Sequence, residues 1–198
     1  MMKYLIGLTG GIGSGKTTVA KFIEAKGFAV YYSDIRAKEI VNDNSILKSE
    51  IINLLGDEAY DEEGSYNRKW VADKIFNDDT LLMKLNTLIH PAVKEDFEHW
   101  MNIQQSKFIF KETALLFELN LDKNCYKSVL VTADESIRIA RVMERDHKTY
   151  SQVKDIIQKQ MSEEEKAKRA NYIIYNNGDL ESLSMQTNVM LESLFKDL

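Results

Sequence analysis

The chain has one proline, one cysteine and three histidines among 198 residues. Each scarcity excludes something. A single cysteine, Cys125, cannot form an internal disulfide, a Cys-x-x-Cys redox pair or a zinc knuckle. His90, His99 and His147 are too far apart to suggest a histidine-based metal site. One proline, with no Pro-, Ser- or Gly-rich stretch, leaves no flexible linker, low-complexity segment or internal repeat. No apolar run approaches the length of a membrane span. The run Tyr4-Leu5-Ile6-Gly7-Leu8 breaks into glycines, so no secretory signal is expected and the expected location is cytoplasmic. The net charge of −5, from 26 basic and 31 acidic residues, argues against nucleic-acid binding through bulk positive charge.

What is present suits a soluble globular chain with one continuous fold: 44% apolar and 29% charged residues. Short apolar runs alternate with helical patterns. Lys3–Thr9, Phe28–Tyr32, Phe108–Phe110, Ser128–Val131 and Tyr172–Tyr175 read as strands, the first buried on both faces. Thr17–Lys26 reads as a helix stopped by Gly27. Asp134–Asp146 and Asp179–Phe195 read as helices, each starting at an aspartate suited to an N-cap. The repeated strand–helix order predicts an α/β fold of three layers, α/β/α, with about five parallel strands. Two stretches interrupt it. Residues 35–107 show helical patterns only, with starts at Asn67 and Asp79-Thr80, and Ser151–Arg169 reads as a small charged helical flap.

The strongest chemical signal is Gly10-Gly11-Ile12-Gly13-Ser14-Gly15-Lys16-Thr17, which fits G-x-x-x-x-G-K-[ST] without mismatch, after a strand and before a helix. Glycines let consecutive amides point into one concavity, and the helix adds its positive end. Gly11, Ile12, Gly13, Ser14, Gly15, Lys16, Thr17 and Thr18 are the expected nucleotide cradle. Lys16 would reach the β- and γ-phosphates, and the Thr17 hydroxyl would hold Mg²⁺.

Such a loop does not distinguish a motor, a switch and a kinase. A regulatory GTPase needs Asn-Lys-x-Asp, which is absent; Asp61-Glu62-Glu63-Gly64 has the other switch spelling but sits in a polar stretch and reads as a turn. The Leu-Ser-Gly-Gly-Gln signature of an ABC-type ATPase is also absent. A kinase gains from Ser33-Asp34, just past the second strand, where parallel sheets deliver residues to the crevice beyond their carboxyl edge. If that strand neighbours the phosphate loop, Asp34 faces the γ-phosphate and can accept a hydroxyl proton. Asp34 also suits a cap for the helix from Ile35, and the two roles are compatible. Arg141 and Arg145, one helical turn apart, can meet phosphoryl charge, or can form a solvated face paired with Glu144, Asp146 or Glu135.

With these residues assembled, the chain resembles the dephospho-CoA kinase family. Gly7–Ala20 is similar to that family's opening, Ser33-Asp34 to the end of its Asp-Ala-Asp, and Gly64–Arg68 to its Gly-x-x-x-Arg. His90-Pro91, Leu115-Leu116-Phe117-Glu118, Arg141–Asp146, Gln160 and Asn176-Asn177-Gly178 match further family motifs. Tyr32, Ala114, Arg138 and Asn171 stand where the family usually has aspartate, proline, glutamine and aspartate. The resemblance implies a P-loop core of residues 1–34, 108–140 and 170–198, a helical CoA-substrate domain over 35–107 and a lid over 141–169. It implies ATP and Mg²⁺, with dephospho-CoA as acceptor, phosphorylated on its ribose 3′-hydroxyl. On that basis Lys16, Asp34, Arg141 and Arg145 are catalytic candidates, and Asp34 also touches Mg²⁺ through water. Asp34, Arg68 and His90 are substrate-binding candidates; from the residues alone, His90-Pro91 reads as a structural corner ending a helical run. Glu118 either orients the substrate side or anchors the core. Tyr31, Tyr32, Phe108, Phe110 and Phe117 read mostly as core, with one or two able to stack on adenine.

Overall fold

The computed structural model describes residues 3–76 and 78–196. Five strands, β1 (Tyr4–Thr9), β2 (Ala29–Tyr32), β3 (Phe108–Glu112), β4 (Lys127–Thr132) and β5 (Tyr172–Tyr175), form one parallel sheet in the order β2-β3-β1-β4-β5. Apolar residues fill both faces, as a parallel sheet covered by helices requires. On one face Ile6, Leu8, Phe110, Val129 and Val131 are buried against α1 (Lys16–Ala25) and α9 (Leu180–Lys196), through Val19, Ile23, Leu191 and Leu194. Ile109, Leu130, Leu116 and Phe117 are buried elsewhere in this unit. Burying one such side chain is worth about 1.5–3 kcal/mol.

The order corrects one expectation. β2 does not neighbour the strand leading into the phosphate loop: β3 lies between them, pairing with both. β3 also runs two residues past Phe110. Lys111 and Glu112 look polar in sequence, yet both are buried in the sheet.

Contacts divide the chain into two units, Met1–Tyr32 with Gln104–Leu198, and Ser33–Ile103. The second unit contains α2 (Ser33–Asp43), α3 (Ser45–Leu55), α4 (Arg68–Ile75) and α5 (Asp79–Ile103) around Ile40, Leu47, Ile51, Tyr60, Val71 and Leu85. Asn44 caps α3, accepting from the N–H groups of Ile46 and Leu47, and Asn67 caps α4 through Trp70 N–H. The cap of α5 is Asp78, which accepts from Leu81 N–H, one residue before the expected start. Asp61 closes the expected turn, its side chain accepting from the N–H groups of Glu63 and Ser65.

Pro91 lies inside α5, not at its end. A proline there removes one backbone donor. The helix continues because apolar residues on both sides of it, Leu81, Leu85, Leu88, Ile89, Ala92 and Val93, pack into the same core.

In the first unit, α6 (Glu135–Asp146) runs unbroken through residue 141. Asp134 precedes it without capping it; its side chain accepts from Asn177 Nδ2, and its N–H donates to Asn177 Oδ1, both at 2.9 Å. Asp179 does cap α9, through Ser182 N–H. The expected helical flap is built of two helices. Thr149 and Gln152 form a capping box on α7 (Tyr150–Gln158), and Ser162 restarts the chain as the cap of α8 (Glu163–Arg169). Partial burial pushes the Cys125 thiol up to about 11, and it donates to Leu121 O.

Candidate active site

β1 ends at Thr9 and α1 begins at Lys16, so the glycine loop spans the carboxyl edge of the central strand and a helix N-terminus. Gly13 at φ 79° and Gly15 at φ 92° take the left-handed conformation that a side chain would resist. Ser14 N–H donates to Gly11 O at 3.1 Å, closing the turn. From β5's end, buried Asn176 donates through Nδ2 to Ser14 O at 2.8 Å.

β3 supplies the residue that sequence reasoning missed. Glu112 is 2% exposed, and its Oε1 lies 2.6 Å from Lys16 Nζ and 3.1 Å from Thr17 Oγ1. The register makes this possible: Leu8 pairs with Glu112 across β1 and β3, so the carboxylate emerges beside the loop that follows β1. A buried carboxylate touching both the lysine and the hydroxyl of G-x-x-x-x-G-K-[ST] can fix the lysine, accept a proton or share a cation. The available signal was a carboxylate at the carboxyl end of a strand, obscured because the strand appeared to stop at Phe110.

The model of the dephospho-CoA kinase family matches residues 4–182. The chain belongs to the dephospho-CoA kinase family. Its relatives include the dephospho-CoA kinase of Fusobacterium nucleatum, 37% identical over 190 residues that cover 96% of this chain and 98% of that one. A crystal structure from Thermus thermophilus superposes with a TM-score of 0.87 at 30% identity, covering 98% of this chain and 99% of that one. The dephospho-CoA kinase from Campylobacter jejuni, at 24% identity and TM-score 0.74 over 99% of both chains, shares the fold. The core is that of a P-loop kinase, and membership of this kinase family implies ATP and dephospho-CoA as substrates. No helix among the described residues is long and apolar enough to cross a membrane.

The catalytic candidates of this kinase separate into groups. Lys16 and Thr17 meet on Glu112. Arg141 reaches toward the loop from α6: its Nη2 lies 3.4 Å from Asn176 Oδ1, and its Nη1 is buried without a hydrogen-bond partner. Arg145 is not brought to the same place; it is exposed and forks onto neighbouring Asp146 at 2.7 and 2.8 Å. Gln160 accepts from Ile12 N–H at 3.0 Å, so one amide of the expected cradle is held by a side chain of the protein. Glu118 accepts from Met161 N–H and lies 3.4 Å from Lys166, anchoring the segment between α7 and α8.

The substrate candidates lie in the helical unit. α2 starts at Ser33, so Asp34 sits within its first turn, at the positive end, and not at a cap before Ile35. Arg68 opens α4 and donates to Lys38 O at 3.1 Å. His90 lines a cleft of about 510 Å³ with Asp79, Asn86, Thr87 and Pro91; it is exposed, and partial desolvation in the cleft lowers its pKa. Tyr31, Phe108, Phe110 and Phe117 are buried as core; half-buried Tyr32 donates its hydroxyl to Glu24 at 2.7 Å.

Proposed function

We propose that this protein transfers the γ-phosphate of ATP to the ribose 3′-hydroxyl of dephospho-CoA, releasing CoA and ADP, and that it does so in the cytoplasm as the last step of CoA synthesis. The observation that carries the reading is Glu112 holding both Lys16 and Thr17 at the mouth of the phosphate loop, in a chain of this kinase family. The lone cysteine and the absence of a membrane-length helix among the described residues support the location.

Phosphoryl transfer asks for position and for charge neutralisation. Lys16 would exchange Glu112 for the β- and γ-phosphate oxygens, and the loop amides with the α1 dipole would hold the remaining charge. The donors at the loop fit Mg²⁺: a hydroxyl from Thr17 and a carboxylate from Glu112 are hard oxygen ligands. No group of three or more histidine, cysteine, aspartate or glutamate side chains among the described residues could hold a metal alone, so phosphate and water would complete the shell, as magnesium commonly requires. Thr17 and Glu112 would hold the ion, with Asp34 reaching it through water; when bound, it neutralises charge on the phosphates.

Asp34 would orient the 3′-hydroxyl and accept its proton. Arg141 and Arg145 would neutralise the transferring group, with residues 141–169 closing over it as a lid that excludes water. Residues 35–107 would form the CoA-substrate domain, with Arg68 and His90 contacting dephospho-CoA. The test is ADP release from ATP and Mg²⁺ across a panel of small hydroxylated acceptors. Release that depends on dephospho-CoA is expected. Stimulation by a different acceptor, or slow hydrolysis indifferent to all of them, overturns the reading.

A further inference from the structure

The geometry points to Gln160 as a positioning residue for the phosphate loop, an inference that rests on the nucleotide-binding reading of that loop. Gln160 lies in the link between α7 and α8, and its Oε1 accepts from Ile12 N–H at 3.0 Å, 148 residues away in sequence. The link is anchored just after this bond. Met161 N–H donates to Glu118 Oε1 at 3.1 Å. Fully buried Lys166 places Nζ 3.4 Å from Glu118 and 3.7 Å from Glu163. Glu163 in turn accepts from Thr132 Oγ1 at 2.5 Å and lies 3.4 Å from Arg138 Nη1.

These groups press on the loop. A Cβ on Gly11 would run into the Arg138 guanidinium and the Glu163 carboxylate, and one on Gly13 into the Arg138 backbone. The first half of the loop is therefore clamped from outside by α6, the link and α8. Two cations, Arg138 and Lys166, balance two anions, Glu118 and Glu163. Lys166 Nζ, Glu118 Oε2 and Arg138 Nε nonetheless lack hydrogen-bond partners. A buried charge network so incompletely satisfied is a poor source of stability; apolar residues of similar volume would serve at least as well. What it supplies is position: it holds the link where Gln160 meets Ile12. Gln160 then pre-orders the loop, and a loop ordered in advance loses less freedom when a triphosphate arrives.

The test uses the full chain. Gln160→Met keeps length and removes the acceptor; Gln160→Ala removes it without adding apolar bulk. In both, the Kd for ADP and the KM for ATP are expected to rise about fivefold, the worth of one amide hydrogen bond. The fall in kcat should stay within about twofold, and the KM for dephospho-CoA should not move. Hydrogen exchange at the Ile12 amide should quicken in both variants and stay slow in Gln160→Glu, which retains an acceptor oxygen. Unchanged or tighter ADP binding overturns the proposal, as does a loss confined to kcat or unchanged exchange at Ile12. ADP binding is measured without an acceptor. If the wild type binds ADP but phosphorylates no dephospho-CoA, the proposed function falls while this comparison still decides the role of Gln160.

Discussion

Lys16 and Glu112 pair at 2.6 Å with side chains 16% and 3% exposed. Removing one partner of such a pair leaves the other charge poorly solvated. Glu112→Gln is therefore expected to lower kcat at least a hundredfold, because Lys16 and Thr17 lose their common reference point. Steady-state kinetics with both substrates check this, and wild-type kcat would remove Glu112 from the site. Asp34→Asn keeps the shape of the side chain and removes its basicity. It should lose most turnover while ATP binding, followed by calorimetry, survives; full turnover would eliminate Asp34 as the base. The two carboxylates were unequally legible. Asp34 follows an obvious strand, whereas Glu112 ends a strand whose last two residues look like the start of a loop. Its burial comes from the neighbours on either side, β1 and β2, which no local pattern reports.

Among the elements, the strands and the loop–helix junction could be read from apolar runs and glycine spacing. The ends of helices were less readable, because several polar residues in a row can cap and only tertiary contacts choose among them. Asp134 is the instructive case: a good capping residue by type, it is recruited instead by Asn177 from the loop after β5. The flap shows the same effect, since helical composition continues through a link whose residues bond to the phosphate loop and to Glu118. Pro91 lies within a helix where its type suggests a corner, because packing of α5 on both sides of it outweighs the lost donor. Pro91→Ala should restore that backbone bond and stabilise the protein by about 2 kcal/mol, since an interior proline costs about 3 and its rigidity in the unfolded chain returns up to about 1. Denaturant titration checks this, with an unchanged midpoint as the contrary result.

For the molecule as a whole, partial desolvation of the exposed His90 by the cleft it lines favours its neutral form in the folded state and lowers its pKa. The unfolded histidine takes up a proton near pH 6.5. Below that pH the unfolded state binds more protons, so stability falls as the pH drops from about 6.5 through the lower folded pKa. His90→Gln should lose less thermal stability than the wild type between pH 7.5 and 5; an equal loss in both would remove His90 as the source. By itself the sequence determined the class of chemistry and the layered core. A glycine loop with lysine and threonine in fixed spacing, between a buried strand and a helix, needs no distant residue to be recognised. Only the tertiary structure decided which side chains attend that loop. Strand order brought Glu112 to it in place of the β2 end, β5 brought Asn176, and the α7–α8 link brought Gln160. Those contacts join segments roughly a hundred or more residues apart, and they follow from which strands pair, a choice made by packing the whole sheet at once.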